Sequence, residues 1–285
     1  MPLSSPVDGF RLAYDRSGSG PPVVLLHGWP GDRTDYRQLV PLLAERADVL
    51  VPDFRGFGES DKHDEPPLES YTREAQARSV LALVEELGLD PPVIAGYDVG
   101  SRVAQVIARS SPEAARALVL APPLPGAGER LLTPEIVPEF WYQTFHTLNL
   151  PEQLIDGRRD AVRAYLGYIW SHWSGPEFTL SDEDLDHLVE VYSPPGAFTA
   201  SIAWYRARSS TLALARTEQA PAPEERFHVP TTVLWPEHDP LFPQAWSDRL
   251  DQFFSDLDLR LLDGVGHFLP LEAPSAFADA ITERL

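Results

Sequence analysis

Four short apolar runs alternate with helical patterns over the first 120 residues, and this alternation constrains the fold most tightly. The runs are "VVLLHG" (23–28), "VLVPDF" (49–54), "VIAGY" (93–97) and "ALVLA" (117–121). Continuous apolar strands of this length are typical of a parallel sheet that is covered on both faces. Helical patterns lie between them at about 36–47, 71–87 and 101–109, and an earlier strand falls within 10–22. The sequence therefore predicts a doubly wound α/β sheet.

The pattern changes near residue 122, where the Pro- and Gly-rich stretch "PPLPGAGERLLTPE" begins. From about residue 135 to residue 218 the chain is helical and aromatic in pattern, and no strand pattern stands out there. A second Pro-rich stretch, "QAPAPEERFHVP" (219–230), follows it. Such stretches favour loops over regular structure, so we expect a helical segment inserted between two parts of the sheet.

The sheet resumes after this segment with the apolar runs "TTVLW" (231–235) and "LDLRLL" (257–262), and a helix is predicted near 274–284. The predicted organisation is thus core, helical insertion and core again. In residue numbers, 1–123 and 226–285 form the core and 124–225 form a helical cap.

Composition excludes several classes of partner and site. The formal net charge is −20, from 43 acidic and 23 basic side chains, and phosphates would be repelled by such a chain. We therefore expect no nucleic acid and no membrane as partner. No cysteine is present, which rules out disulfides and thiolate metal sites. Without a leader pattern or a long apolar run we expect a cytoplasmic protein, and without a pair of His or carboxylate ligands near the elbow described next we expect no metal.

The stretch "GYDVG" (96–100) follows a predicted buried strand and has the spacing of a nucleophile elbow. Such an elbow lifts its central side chain to the carboxyl end of the sheet, where ligands bind in this class of fold. The central residue here is Asp98 rather than a serine. Because Asp is also a favoured helix N-cap, the motif alone leaves a capping role open.

Two further polar side chains follow later strands. Asp239, in "WPEHDPLFP" (235–243), and His267, in "DGVGHFLPLEAP" (263–274), both lie on predicted loops at the same end of the sheet. Asp98, Asp239 and His267 occur in the chain order that nucleophile, acid and base have in α/β-hydrolases. We therefore expect Asp98, Asp239 and His267 to converge.

The stretch "LLHGWPGD" (25–32) follows the strand that is expected to carry one half of an oxyanion hole. We expect the backbone N–H groups of Trp29 and Val99 to form this hole. His27 is interpreted as a brace of the loop rather than as a base.

The chain resembles the α/β-hydrolases of the epoxide hydrolase and dehalogenase branch over nearly its whole length. The resemblance is carried by "HGWP", "DFRGFGES", "GYDVG", "EHDPLF" and "GHFLPLEAP" in the family's order. It implies the α/β-hydrolase fold with a helical cap, and an aspartate that forms an alkyl ester with substrate. Water activated by His267 then hydrolyses the ester, while Asp239 orients the imidazole. No cofactor is implied.

The resemblance also implies how the leaving group is handled. Epoxide hydrolases of this family place two cap tyrosines over the nucleophile to protonate a departing alkoxide, and "EFWYQTFH" and "IAWYRA" are similar to their two cap motifs. We expect Tyr142 and Tyr205 to be these acids. Trp141, Phe145 and Trp204 are predicted to line an apolar substrate site.

Two alternatives to an epoxide hydrolase stay open at this stage. The first is dehalogenation of a small haloalkane or haloacid through the same aspartyl ester, although Val99 stands where haloalkane dehalogenases usually carry a tryptophan. The second is a hydrolase-like protein that binds a ligand without turnover, which would need neither Asp239 nor His267. In each case the expected partner is a small apolar organic molecule, and the chain is expected to be a monomer or a homodimer.

Overall fold

The computed structural model describes residues 2–285. Seven strands form one sheet in the order β1-β3-β2-β4-β5-β6-β7. β1 pairs antiparallel with β3, and the other neighbours are parallel. The strands are β1 Tyr14–Gly18, β2 Pro22–Leu26, β3 Asp48–Pro52, β4 Val93–Gly96, β5 Ala117–Leu120, β6 Thr231–Pro236 and β7 Leu257–Leu262. The predicted doubly wound α/β sheet is confirmed.

The central strands are apolar because both of their faces are covered. Every residue of β2, β4 and β5 is buried, and the same holds for β3 and β6. β7, at one edge, alternates between exposed and half-buried positions, as expected for a strand with one solvated face. The helices of the core are α1 Val40–Leu43, α2 Pro67–Ser70, α3 Arg73–Glu86, α4 Val99–Ser110, α11 Leu269–Glu272 and α12 Pro274–Thr282.

The helix predicted at 36–47 is wrong in its extent. The structure has a 3₁₀ helix at Arg33–Tyr36 and then only the single turn of α1. Pro41 stands in the first turn of α1, where its missing N–H does no harm, whereas in the interior of a longer helix its ring would clash with the preceding turn. Proline therefore divides this segment into two short pieces.

Between β5 and β6, within the described part of the chain, the residues form helices and no strand. We call residues 121–230 the insertion. Its helices are α5 Trp141–Thr147, α6 Leu150–Leu154, α7 Arg159–Trp173, α8 Asp182–Tyr192, α9 Ala197–Arg206 and α10 Thr211–Ala215. The predicted division at 123/124 and 225/226 stays a prediction, and both points lie outside the α-helices and strands.

Candidate active site

Asp98 occupies a sharp elbow between β4 and α4. Its φ is 48° and its ψ is −118°, a conformation that costs a non-glycine residue about 1–3 kcal/mol and that clusters at functional sites. The flanking glycines permit the turn: a Cβ on Gly100 would lie 1.9 Å from the Leu26 carbonyl oxygen, and one on Gly96 would lie 2.7 Å from the Gly100 backbone. The elbow therefore aims a carboxylate where the strand ends.

The Asp98 side chain is not used as a helix cap. It makes no capping hydrogen bond to α4; instead, its Oδ1 accepts the backbone N–H of Trp29 at 2.8 Å. Val99 is the first residue of α4, and the first N–H groups of a helix have no acceptor within the helix. Of the two backbone donors predicted for an oxyanion hole, the Trp29 N–H is bound to the carboxylate and the Val99 N–H lies at the start of α4.

His267 and Asp239 form a buried pair next to Asp98. The Nδ1–H of His267 donates to Asp239 Oδ2 at 2.8 Å, and Asp239 Oδ1 accepts the Leu241 N–H at 2.8 Å. An ionised carboxylate only accepts, so the proton of the pair lies on Nδ1. His267 Nε2 faces Asp98 Oδ2 at 3.6 Å and is buried without a hydrogen-bond partner among residues 2–285. The three side chains therefore converge as the sequence predicts.

The protonation of His267 depends on the charge of its two neighbours. Burial lowers the pKa of the imidazole, but the charges of Asp239 and Asp98 outweigh burial and raise it to about 10. Neutralising Asp98 would remove one of these charges and lower the pKa of His267.

Glu272, which the sequence reasoning missed, braces the loop that carries His267. Its Oε2 accepts the N–H groups of Gly266 and Gly175 at 2.7 and 2.9 Å, and its Oε1 accepts the Phe268 N–H at 3.0 Å. Gly175 belongs to the insertion, so one carboxylate ties the His267 loop to it. The sequence signal for this role was the glutamate in the stretch "GHFLPLEAP".

His27 has the bracing contacts expected of it. Its Nδ1 lies 2.9 Å from the Gly28 carbonyl oxygen, and its Nε2 accepts the Phe54 N–H at 3.1 Å. Because both ring nitrogens are engaged and buried, the imidazole holds the loop that carries Trp29 and offers no free nitrogen.

Tyr142 and Tyr205 lie on two helices of the insertion, α5 and α9, and Tyr205 lines the same small cavity as Asp98. Their rings meet edge to face at 5.7 Å, and both pack on Trp29, Tyr142 stacked at 5.7 Å and Tyr205 perpendicular at 5.8 Å. Burial, and with it the negative charge of Asp98, raises the pKa of each phenol well above its usual value. Both phenols therefore keep their protons at neutral pH within electrostatic range of Asp98.

The other tyrosines of the insertion are engaged elsewhere. The hydroxyl of Tyr192 donates to the Gly31 carbonyl oxygen at 2.7 Å. The hydroxyl of Tyr165 lies 2.8 Å from His146 Nε2, and Tyr168 is 53% exposed. Of the five tyrosines of the insertion, Tyr205 lines the small cavity beside Asp98, and Tyr142 does not. The cavity is lined by Asp98, Val99, Arg102, Pro123, Gln143, Trp204, Tyr205, Ser209, Ser210 and Thr211.

The three predicted substrate-lining residues divide into two groups. Trp204 lines the cavity beside Asp98. Trp141 is 40% exposed, and it packs with the half-buried Phe145 on the outer side of α5. Residues four apart share a helix face, so Tyr142 and His146 face inward while Trp141 and Phe145 face outward. The structure does not bring Trp141 and Phe145 to the cavity.

His146 is buried because it lies on the same inward face of α5 as Tyr142. Its ring lies 4.6 Å from that of Tyr205 and 4.7 Å from that of Trp29, and burial lowers its pKa well below the usual value. The imidazole is therefore neutral and forms part of the aromatic layer above Asp98. Its spacing of four residues from Tyr142 was the sequence signal that could have found it.

No set of three His, Asp or Glu side chains within residues 2–285 is arranged to hold a metal.

Comparison with known proteins identifies the family. The family model for the alpha/beta hydrolase fold matches residues 21–274. The chain belongs to the alpha/beta hydrolase family. The hydrolase is 28% identical to the soluble epoxide hydrolase of Corynebacterium sp. (strain C12), over 96% of this chain and 93% of that protein.

Two further relatives extend this comparison. Haloalkane dehalogenase 2 of Mycobacterium tuberculosis (strain ATCC 25618 / H37Rv) is 26% identical, over 96% of this chain and 91% of that protein. The crystal structure of ALR0039 from Nostoc sp PCC 7120 superposes with a TM-score of 0.86 at 25% identity, covering 99% of this chain and 96% of that one. In the hydrolase, no helix within residues 2–285 has the length and apolar character to cross a bilayer.

Proposed function

We propose that this hydrolase opens epoxides to vicinal diols through a covalent ester on Asp98. In the first step the Asp98 carboxylate attacks an oxirane carbon, so that an Asp98 O–C bond forms as the C–O bond of the ring breaks. The ring oxygen leaves with the electron pair and takes a proton from Tyr142 or Tyr205, which becomes a phenolate. A carboxylate suits this step because it is ionised at pH 7 and needs no base.

The second step hydrolyses the ester and restores the side chains. His267 takes a proton from water, and the hydroxide adds to the carbonyl carbon of Asp98, whose oxyanion is held by the Trp29 and Val99 N–H groups. Collapse expels the diol oxygen, which takes the proton from His267. The carboxylic acid left on Asp98 returns its proton to the phenolate.

The pKa of His267 favours this order of events. While Asp98 is ionised its charge helps to raise that pKa to about 10. Esterification removes this charge, so the pKa falls and the imidazole is more readily neutral when a base is needed.

The observation that supports the proposal is a buried phenol, Tyr205, in the wall of the same small cavity as Asp98, with the buried Tyr142 ring packed edge to face against it. A departing alkoxide needs a proton, which Tyr142 and Tyr205 supply, whereas a departing halide does not. The test is to incubate the protein with styrene oxide and, separately, with 1-bromobutane and chloroacetate. Diol from the oxide without halide from the others is expected; halide release with no diol would overturn the proposal.

Dehalogenation by the same ester is the second candidate, and one observation favours it. Trp29 Nε1 is buried without a hydrogen-bond partner in the described chain, and an N–H donor of this kind would stabilise a departing halide. The halide arm of the test separates the two reactions. Absence of turnover on every substrate, with a ligand still bound, would favour the non-catalytic binding protein.

A further inference from the structure

Gln143 is a buried glutamine whose side-chain amide joins two helices of the insertion. It lies on α5 and is 4% exposed, and its Oε1 accepts the Leu212 N–H of α10 at 3.1 Å. Leu212 is the second residue of α10, and the first N–H groups of a helix have no acceptor within the helix. Because a backbone N–H only donates, the amide oxygen must face Leu212, and the amide nitrogen is left for another partner.

The partner of the amide nitrogen is the hydroxyl of Tyr142. Gln143 Nε2 donates to Tyr142 Oη at 3.0 Å, and the direction of this bond is fixed because an amide nitrogen carries donors and no acceptor. The hydroxyl is therefore the acceptor and keeps its own proton. Within residues 2–285 no acceptor takes that proton, so it is left for an atom that the chain does not supply.

Gln143 also links this hydroxyl to the cavity that contains the nucleophile. Gln143 and Tyr205 line the small cavity beside Asp98, whereas Tyr142 does not. The Tyr142 hydroxyl is thus bonded to a residue of the cavity wall. Its free proton lies one hydrogen bond from the space that a substrate would fill.

The same hydrogen bond favours loss of the Tyr142 proton. Burial, followed by the negative charge of Asp98, raises the pKa of the Tyr142 phenol, and the Gln143 hydrogen bond opposes both. An N–H donor stabilises a phenolate more than a phenol, because a hydrogen bond to a charged acceptor is stronger. Within the described chain no hydrogen bond of this kind acts on Tyr205.

We propose that Gln143 is the positioning residue for the acid Tyr142. It keeps the hydroxyl in the acceptor role, so that the phenolic proton goes to the departing ring oxygen, and it then donates to the phenolate that remains. This inference rests on the proposed epoxide hydrolysis and adds a residue to its first step. Since Gln143 also bonds to the start of α10, the experiment has to separate its effect on Tyr142 from a purely structural role.

A double-mutant cycle between Gln143 and Tyr142 makes this separation. Gln143→Met keeps the length of the side chain and removes both hydrogen bonds. In single turnovers of styrene oxide it should slow ester formation about tenfold, as expected for the loss of a hydrogen bond to a charged group. In the Tyr142→Phe background it should slow ester formation no further. Equal slowing in both backgrounds, or none in either, would overturn the proposal.

Gln76→Met is the matched control for the loss of a buried amide. Gln76 is a buried glutamine of α3 that also makes two hydrogen bonds, accepting the Arg55 N–H and donating to the Arg55 carbonyl oxygen. It does not line the cavity beside Asp98, so its replacement should leave ester formation unchanged. Slowing as large as that of Gln143→Met would show that the loss of any buried amide suffices, and would overturn the proposal.

A measurement without substrate separates this inference from the reaction itself. In protein labelled with ¹³C at the tyrosine Cζ, the Tyr142 resonance should shift in Gln143→Met and stay in place in Gln76→Met. If Gln143→Met does not fold, the side-chain amide resonance of Gln143, which should shift in Tyr142→Phe, reports the same bond. An unshifted resonance would overturn the proposal. A shifted resonance in a protein that opens no epoxide would support the orientation of the phenol by Gln143 and remove the proposed function.

Discussion

The two halves of the candidate site are held in different ways. On the core side, Asp98, Asp239 and His267 follow strands, and hydrogen bonds fix Asp98 and the Asp239–His267 pair. On the insertion side, Tyr142 and Tyr205 are held by ring packing. Within residues 2–285 the one side-chain hydrogen bond of the pair is donated by Gln143 to the Tyr142 hydroxyl. Strand ends and hydrogen bonds fix the direction in which a side chain points, whereas ring packing fixes mainly the volume that the rings fill. Activity should therefore fall sharply when one atom is changed on the core side, and more gradually when one is changed on the insertion side.

Removing the nucleophile should have the largest effect on activity. Asp98→Ala removes the only carboxylate that the proposed ester can use, so kcat should fall by about 10⁴-fold or more. Steady-state diol formation measures the effect, and an unchanged melting temperature shows that the fold is retained. Residual activity within tenfold of that of the unmodified protein would contradict the prediction that activity depends most strongly on the core side.

Replacing the base should separate the two steps. His267→Gln leaves the carboxylate free to attack but removes the group that activates water, so the ester should accumulate while turnover falls about a thousandfold. Intact mass spectrometry after mixing with styrene oxide should show one adduct, which peptide mapping places on Asp98. An unmodified protein, under conditions in which the parent protein turns the oxide over, would contradict this order.

Removing one phenol should cost less than removing the base, because a second acid remains. Tyr205→Phe and Tyr142→Phe should each slow ester formation by about ten- to a hundredfold, and the double variant should lose more than the product of the two. Stopped-flow single turnovers measure formation and hydrolysis separately. Tyr168→Phe, at an exposed site on the same insertion, is the control. If Tyr205→Phe slowed hydrolysis but not formation, Tyr205 would not be the acid.

The smallest expected effect concerns an ion pair that joins the two halves. His187 Nε2 lies 2.8 Å from the buried Asp32 Oδ2. The hydrogen bond with Asp32 raises the pKa of His187, although burial opposes it. Burial acts to raise the pKa of Asp32, but the hydrogen bonds of His187 and Thr34 outweigh it and lower that pKa to about 2.

The two pKa shifts define a pH window for the stability that this pair contributes. The His187 contribution is complete below its unfolded pKa of about 6.5 and is lost as pH rises through the raised folded value; the Asp32 contribution is complete above about 4 and is lost as pH falls towards 2. His187→Gln should therefore lower the melting temperature most between about pH 4 and 6.5. His228→Gln, at a histidine that contacts Ser255 Oγ and the Glu224 carbonyl oxygen, should show no such window. If the melting temperature of His187→Gln fell by the same amount at every pH, the charges of the pair would not contribute to stability.

The sequence predicted the sheet and the convergence of Asp98, Asp239 and His267 because strand direction alone decides both. Polar side chains that follow parallel strands meet at one edge of the sheet whatever the loops do. The same reasoning failed at 36–47, where an apolar helical pattern took no account of Pro41.

The insertion was predicted less completely because its helices are short. In α5, of seven residues, both faces carry aromatic side chains, and only packing against Trp29 decides that Tyr142 and His146 face inward while Trp141 and Phe145 do not.

The oxygen atom of the first diol tests the central claim most directly, namely that Asp98 bonds to the substrate carbon. A single turnover of excess protein on styrene oxide would be run in ¹⁸O water, with the diol and the Asp98 peptide both weighed. The account predicts an unlabelled diol and one ¹⁸O in the Asp98 carboxylate, because water attacks the ester carbonyl and the oxygen of Asp98 leaves with the product. A labelled diol together with an unlabelled Asp98 would mean that water attacked the epoxide directly, and would contradict the account.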